Sequence, residues 1–166
     1  ENVGLLDMTA FAKCRIKGPE AEEFLDNLVA NKLPKKVGRI NLCHALNTKG
    51  GVHSEFTIMR ESENSFYLVS AGAYQRLDHD WIFGWMPKDG SVQFENLTNS
   101  KGVLVVSGPK ARELMQRVSN DDFSNENFKW LSAKQVDVGF APVNAMRVNF
   151  VGELGWELHH LSLIHI

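Results

Sequence analysis

The sequence predicts an α+β fold built from two similar halves, and two observations lead to this prediction. The first is an internal repeat, in which the segment 15–25 is echoed 90 residues later by the segment 105–115. The second is the order of the elements, because in both copies a strand-like run is followed by an amphipathic helix and then by hairpin strands. This order favours α+β over a doubly wound parallel sheet, which requires strict alternation of strands and helices.

A Gly-Pro pair marks the start of the helix in each copy. Gly18-Pro19 and Gly108-Pro109 both end a strand-like run. Glycine permits the tight turn, and proline fits the first helical position, where its missing N–H costs nothing. Apolar residues then recur at helical spacing in both copies: Phe24, Leu25, Leu28 and Val29 in the first, and Leu114, Met115 and Val118 in the second.

The strands that follow each helix are predicted to pair as hairpins. Strands over 40–47 and 52–60 flank the turn Thr48-Lys49-Gly50-Gly51, whose composition is a strong hairpin signal. The further predicted elements are a strand over 64–70, a helix over 74–83, strands over 92–96 and 102–107, and strands over 145–150 and 155–159. We therefore expect a first half over 1–90 and a second half over 91–160.

The composition excludes several classes of protein. The chain of 166 residues is 43% hydrophobic and has a formal net charge of −2, without a basic block of the kind that strong nucleic-acid binding requires. No apolar run approaches the roughly 20 residues of a membrane helix. The two cysteines, Cys14 and Cys43, lack the spacing of a disulfide framework or of a metal site. We expect a cytoplasmic protein, or a mitochondrial matrix protein if the source is eukaryotic, with no nucleic-acid or membrane partner.

The last six residues do not resemble the end of a fold. The segment 161–166 follows the final predicted strand without a cap, a glycine or a proline that would close it. It is predicted to be a non-native tail. The second half is accordingly expected to be incomplete, with the domain truncated at its C-terminus.

Glu55 is the first residue that could carry chemistry. Strand alternation places it on one face with His53 and Thr57, while Ser54 and Phe56 take the other face. A solvated strand carboxylate explains this pattern. If that face instead lines a cavity, desolvation raises a carboxylate's affinity for protons and makes it suitable for acid–base work.

Glu157 is the second candidate, in the segment Gly152-Glu153-Leu154-Gly155-Trp156-Glu157. A carboxylate next to a glycine-rich turn can accept two parallel N–H bonds, as the edge of a pterin or a guanine presents them. A surface acid explains the residue equally well. The histidines form no set with metal-ligand spacing, so no metal site is predicted.

Successive blocks of the chain resemble one family. These blocks are Val3–Thr9, Ile16–Ala21, Gly50–Glu55, Ser107–Arg112 and Val151–Leu158. Together they resemble the aminomethyltransferase (glycine-cleavage T-protein) folate-binding family over roughly residues 2–160. Val29–Pro34 and Gly152–Glu157 resemble one branch of it more closely, the C-terminal folate domain of dimethylglycine and sarcosine dehydrogenases.

The resemblance implies a fold, a site and a reaction. The fold is a pair of ferredoxin-like halves around a tetrahydrofolate site. Glu55 would be the catalytic carboxylate near the reacting folate nitrogens, and Glu157 would be the pterin-binding carboxylate. Phe150 and Leu42 would fall at cofactor-binding positions where the family has tyrosines, so both lack the hydroxyl contact. The reaction implied is transfer of a one-carbon unit from an oxidised N-methylamine to tetrahydrofolate, giving methylene-tetrahydrofolate. FAD would be bound only by an upstream flavin domain of the same parent chain.

Three alternatives remain open. The first is a glycine-cleavage aminomethyltransferase that takes its carbon from a lipoyl group, although the Gly-Glu-Leu-Gly-Trp-Glu block resembles that enzyme less. The second is a non-catalytic folate-binding regulator, whose relatives carry a cysteine where this chain has the segment 151–153. The third is a degenerate domain that keeps the fold and serves as a partner surface.

Overall fold

The computed structural model describes residues 2–161, which form ten β-strands and three α-helices. In chain order these are β1 (Gly4–Asp7), β2 (Ala12–Lys17), α1 (Ala21–Leu28), β3 (Ile40–Leu46), β4 (Val52–Ser62), β5 (Ser65–Ser70), α2 (Gln75–Trp85), β6 (Gln93–Asn96), β7 (Lys101–Ser107), α3 (Ala111–Val118), β8 (Ala133–Val138), β9 (Ala141–Met146) and β10 (Gly155–Leu161). A short 3₁₀ turn at Gly72–Tyr74 leads into α2. No helix in this described part is long and apolar enough to cross a membrane.

The strands form two five-stranded antiparallel sheets, one in each of two compact units. The unit Phe11–Thr98 holds the order β3-β4-β5-β2-β6. The other unit, which consists of the described residues up to Ala10 and from Asn99 onward, holds the order β8-β9-β10-β7-β1. Each unit thus contains a strand–helix–strand–strand–strand repeat. One further strand is added at an edge of its sheet.

The predicted α+β class and the predicted repeat are confirmed. Gly18 has a φ of 134° and Gly108 a φ of 131°, and each glycine links the end of a strand to the start of a helix. The carbonyl of Gly18 accepts the N–H of Ala21 at 3.1 Å, and the carbonyl of Gly108 accepts the N–H of Ala111 at 3.0 Å. The two Gly-Pro turns therefore occupy equivalent positions in the two units.

The edge strands divide the chain differently from the predicted halves 1–90 and 91–160. The strand β1 precedes the first repeat in sequence but pairs with β7 of the second, and β6 precedes the second repeat but pairs with β2 of the first. The same exchange occurs at the helix starts, where Lys110 donates its N–H to Asn2 O at 2.8 Å and Glu20 donates to Ser91 O at 3.5 Å. Each edge strand therefore pairs with a strand that is distant from it in sequence. The local sequence pattern does not show this pairing.

A helix covers the sheet of the unit Phe11–Thr98. The buried side of α1 presents Phe24, Leu25 and Leu28 at helical spacing. These side chains join the core residues of the sheet, among them Ile16, Phe56, Ile58, Phe66 and Leu68. Burying such side chains stabilises a fold by about 1.5–3 kcal/mol each.

A buried carboxylate fastens α2 to the same sheet. Asp78 accepts a hydrogen bond from Ser54 Oγ on β4 and another from Ser70 Oγ at the end of β5, both at 2.6 Å. Two hydroxyl donors satisfy the carboxylate, which would otherwise be costly to bury. Ser54 therefore lies on the face of β4 that α2 covers, and Glu55 lies on the opposite face.

Two local predictions differ from the structure. The predicted strand 145–150 is displaced, because β9 ends at Met146. Asn149 donates to Ser107 Oγ at 2.6 Å and accepts the N–H of Val151 at 3.0 Å, which bends the chain before Phe150. Of the predicted tail 161–166, only Leu161 is described, and it ends β10. The rest of that tail lies outside the described residues.

We expect neither cysteine to react with iodoacetamide in the native protein at about pH 8. Burial, with a smaller contribution from the charge of Asp78, raises the pKa of Cys14 to about 12, and burial raises the pKa of Cys43 to about 11. Because the thiolate is the reactive form, both thiols are inert at that pH. Mass spectrometry after alkylation, with and without guanidinium, checks this. Native Cys43 labelled as fast as in denaturant would contradict it.

Candidate functional site

Glu55 lies on the half-open face of β4. Its side chain is 53% exposed. The carboxylate is therefore accessible to solvent. Thr57 shares this face, while Ser54 and Phe56 are buried on the other, as the alternation predicts. The prediction for His53 is wrong, because a bulge at the start of β4 breaks the alternation and the ring of His53 packs against Trp81 of α2 instead.

His44 is the direct cross-strand partner of Glu55. The two residues are opposite each other in the β3–β4 pairing, and His44 Nε2 lies 2.9 Å from Glu55 Oε2. Directly opposed side chains of an antiparallel pair lie on the same face. The sequence pattern alone does not predict this pairing.

Asn31 contacts His44 at both its backbone and its ring. Asn31 Oδ1 accepts the backbone N–H of His44 at 2.8 Å and lies 3.3 Å from the ring nitrogen Nδ1. Because the backbone N–H can only donate, the Asn31 atom that faces it is the oxygen. Nε2 of the same ring lies 2.9 Å from Oε2 of Glu55, close enough for the two groups to share a proton.

Leu42 lies beside this pair. It is two residues before His44 on β3 and is opposite Thr57, so it shares the face of Glu55. About half of its surface is exposed. The structure therefore brings the predicted residues Leu42 and Glu55 together on one face of the unit Phe11–Thr98.

Glu157 lies on β10, in the other unit. Its side chain is only 13% exposed, and its Oε2 lies 3.1 Å from Nε2 of His159, whose side chain is fully buried. The two residues are two positions apart on one strand and share a face. Within the described residues, no hydrogen bond is recorded for the second carboxylate oxygen of Glu157. One oxygen is held by an imidazole, and the other remains able to accept a donor.

The backbone of Glu157 is fixed by its neighbours. Trp156 is fully buried, and the guanidinium groups of Arg112 and Arg147 lie 5.6 and 5.7 Å from its ring centroid. Gly155 is packed so tightly that a Cβ there would lie 2.4 Å from the carbonyl oxygen of Val106. The Gly-Trp-Glu sequence therefore holds the start of β10 in one position.

Phe150 lies in the turn between β9 and β10, in the same unit as Glu157. Its side chain is 87% exposed in the structure. Gly152 in the same turn has a φ of 75°, which favours glycine. The turn thus presents an aromatic ring with a free face. In the described part of the chain, no group of three or more His, Cys, Asp or Glu residues is arranged to hold a metal ion.

Comparisons with known proteins show the family of the chain. The chain matches the GCVT N-terminal domain family over residues 1–162. Mitochondrial dimethylglycine dehydrogenase of Homo sapiens is 39% identical over 161 residues, which are 96% of this chain and 18% of that protein. Aminomethyltransferase of Thermoanaerobacter sp. (strain X514) is 30% identical over 161 residues, covering 94% of this chain and 42% of that protein. The chain therefore spans less than a fifth of the length of the dehydrogenase that it resembles.

The fold is shared with a solved structure. Aminomethyltransferase T of the glycine cleavage system from Bartonella henselae matches with a TM-score of 0.81 at 21% identity. The match covers 96% of this chain and 42% of that chain. At this identity the likeness is one of fold.

Proposed function

Because the chain belongs to the GCVT N-terminal domain family, we propose that it binds tetrahydrofolate and transfers to it a one-carbon unit from an oxidised N-methylamine. The higher identity to a dimethylglycine dehydrogenase than to an aminomethyltransferase supports an amine donor of the dimethylglycine or sarcosine type. The product is methylene-tetrahydrofolate. A flavin-binding part of the same protein would generate the oxidised amine with FAD, and the mitochondrial matrix is its expected location in a eukaryote.

The observation that supports this proposal best is that each of the two carboxylates is hydrogen-bonded to a histidine. Glu55 is hydrogen-bonded to His44 and Glu157 to His159, and each carboxylate is held at a defined strand position. An isolated surface glutamate samples many rotamers, which costs side-chain entropy when a ligand binds. Preorganised carboxylates avoid part of this cost.

Glu157 and Phe150 each offer a group that suits a folate ring. The second carboxylate oxygen of Glu157 can accept the N–H donors at the edge of a pterin, as charge-assisted hydrogen bonds. The exposed ring of Phe150 offers a face for stacking, without the hydroxyl contact that a tyrosine would add. Leu42, in the unit Phe11–Thr98, offers apolar contact only. When bound, tetrahydrofolate supplies the two amine nitrogens that accept the carbon.

Glu55 and His44 fit the proton transfers of such a reaction. Glu55 accepts a proton from an attacking amine, and His44 Nε2 lies within hydrogen-bond distance to receive or return it. Asn31 holds His44 in position, so that Nε2 stays directed at the carboxylate. The roles of the protein are then positioning and acid–base catalysis.

A folate-binding domain without catalysis is the second candidate. The two positions without a tyrosine hydroxyl, Phe150 and Leu42, favour it. The two candidates differ in one property, since only the first converts bound folate.

We expect Glu157→Gln to weaken tetrahydrofolate binding by about ten- to a hundredfold. The amide keeps the shape of the side chain but loses the charge that strengthens hydrogen bonds to pterin N–H donors. Calorimetry on the full-length protein measures the change. Glu153→Gln is the matched control, because Glu153 is an exposed acid four residues earlier and its replacement should leave affinity unchanged. Equal affinities of Glu157→Gln and the unsubstituted protein would remove Glu157 from the folate site.

A further inference from the structure

We propose that a groove in the unit Phe11–Thr98 binds a small N-alkylated ammonium ion. The groove lies between α1, the end of α2 and the turn that joins β3 to β4, and has a volume of about 400 Å³. This size falls within the range of small-molecule sites. Neither Glu55 nor Leu42 lines it, so the proposal is independent of the folate chemistry.

Two tryptophans form an aromatic corner of the groove. Trp81 and Trp85 are one helical turn apart on α2, with ring centroids 5.9 Å apart and ring planes inclined at 60°. Trp85 is 62% exposed, so a large apolar face is open on the surface of this unit. The faces of tryptophan attract cations, and alkylated ammonium ions most effectively, because such ions lose little hydration on contact.

The charge of the groove favours a cation. Glu23 on the first turn of α1 and Glu20, the residue just before this helix, both line it. No Lys, Arg or His is among its lining residues. Within the described residues, no ion pair is recorded for either glutamate. Anions are repelled here, and the aromatic walls are unsuited to metal ions, which require several oxygen ligands.

His53 holds Trp81 in place. The ring of His53 lies against that of Trp81, with the two ring centroids 4.1 Å apart. The aromatic corner is therefore positioned before a ligand binds, which lowers the entropy cost of binding.

Choline is the probe for this site, titrated into the full-length protein by calorimetry. We expect a dissociation constant of about a millimolar, typical of a small ligand with few contacts. The neutral isostere 3,3-dimethyl-1-butanol has the same shape without the charge, and it should bind about tenfold more weakly or not at all. Sodium chloride at equal ionic strength controls for salt.

Matched variants locate the binding. Trp85→Leu and Glu23→Gln should each weaken choline binding by about three- to tenfold, and both positions are exposed, so folding is preserved. Trp130→Leu and Glu113→Gln are the controls, because Trp130 is exposed in the other unit and Glu113 occupies on α3 the position of Glu23 on α1. Equal binding of the neutral isostere, full binding by Trp85→Leu, or no binding of choline at tens of millimolar would each overturn the proposal.

Discussion

Replacement of Glu55 by glutamine is expected to slow methylene-tetrahydrofolate formation by about a hundredfold or more, while folate affinity stays nearly unchanged. Glutamine fills the same space but cannot take a proton, so the attacking amine loses its base. Amine oxidation does not depend on this residue and should continue, with the carbon released as formaldehyde. The measurement is the ratio of folate product to free formaldehyde in the full-length protein.

Two further variants separate this effect from a change in structure. Glu63→Gln replaces an exposed acid in the turn after β4 and should leave the product ratio unchanged. His44→Ala should reduce the folate product by about tenfold in the unsubstituted protein and have little further effect in Glu55→Gln, because residues that act as one unit are not additive. If Glu55→Gln forms folate product at the normal rate, Glu55 is not the base.

Replacement of Gly18 or Gly108 by alanine is expected to lower the free energy of unfolding by about 3 kcal/mol or more. Both glycines have a φ near 130°, which L side chains rarely adopt. A Cβ on Gly18 would also lie 2.2 Å from the carbonyl oxygen of Ser91, and a Cβ on Gly108 would lie 2.8 Å from that of Asn2. Because the obstructing atoms belong to the backbone that leads into β6 and β1, each substitution should also loosen one edge strand.

Chemical denaturation of the full-length protein measures these losses, with hydrogen exchange on β6 and β1 as the local measurement. Gly84→Ala is the control, because Gly84 lies inside α2 with open space at its Cβ position. There alanine should stabilise the protein by about 0.5–1 kcal/mol. A loss below about 1 kcal/mol at Gly18 would contradict the packing described for the Gly-Pro turns.

The repeat was predictable because its signals are local. A glycine that allows a turn, a proline at a helix start and an apolar helical stripe all lie within about ten residues. The partners of β1 and β6 were not predictable in the same way, because a strand pattern shows that a segment is extended but not which strand it pairs with.

The pairing of His44 with Glu55 depends on a detail that the hairpin signal does not contain. Leu46 is opposite Val52, but a bulge after Ala45 shifts the register, so that Glu55 rather than Ser54 is opposite His44. The sequence therefore indicated Glu55 and its face, whereas its proton partner required the structure. The contact of Asn31 was not predictable either, because Asn31 lies in a loop 13 residues before His44 and no local pattern joins the two.

Phe150 illustrates a different limit. Its apolar character suggested the end of a strand, but the side chain of Asn149 bonds to Ser107 and to the following backbone, which ends the strand earlier. Side-chain bonds to a distant residue cannot be read from alternation. The result for the candidate site is an exposed aromatic ring in a turn.

The most direct test of the proposed function is carbon transfer followed with a labelled methyl group. The full-length protein would be supplied with ¹³C-methyl dimethylglycine and saturating tetrahydrofolate, and the label would be followed by NMR. The account predicts that the label appears in the methylene group of methylene-tetrahydrofolate and that little free formaldehyde forms. Recovery of the label entirely as formaldehyde, with folate bound but unchanged, would contradict it.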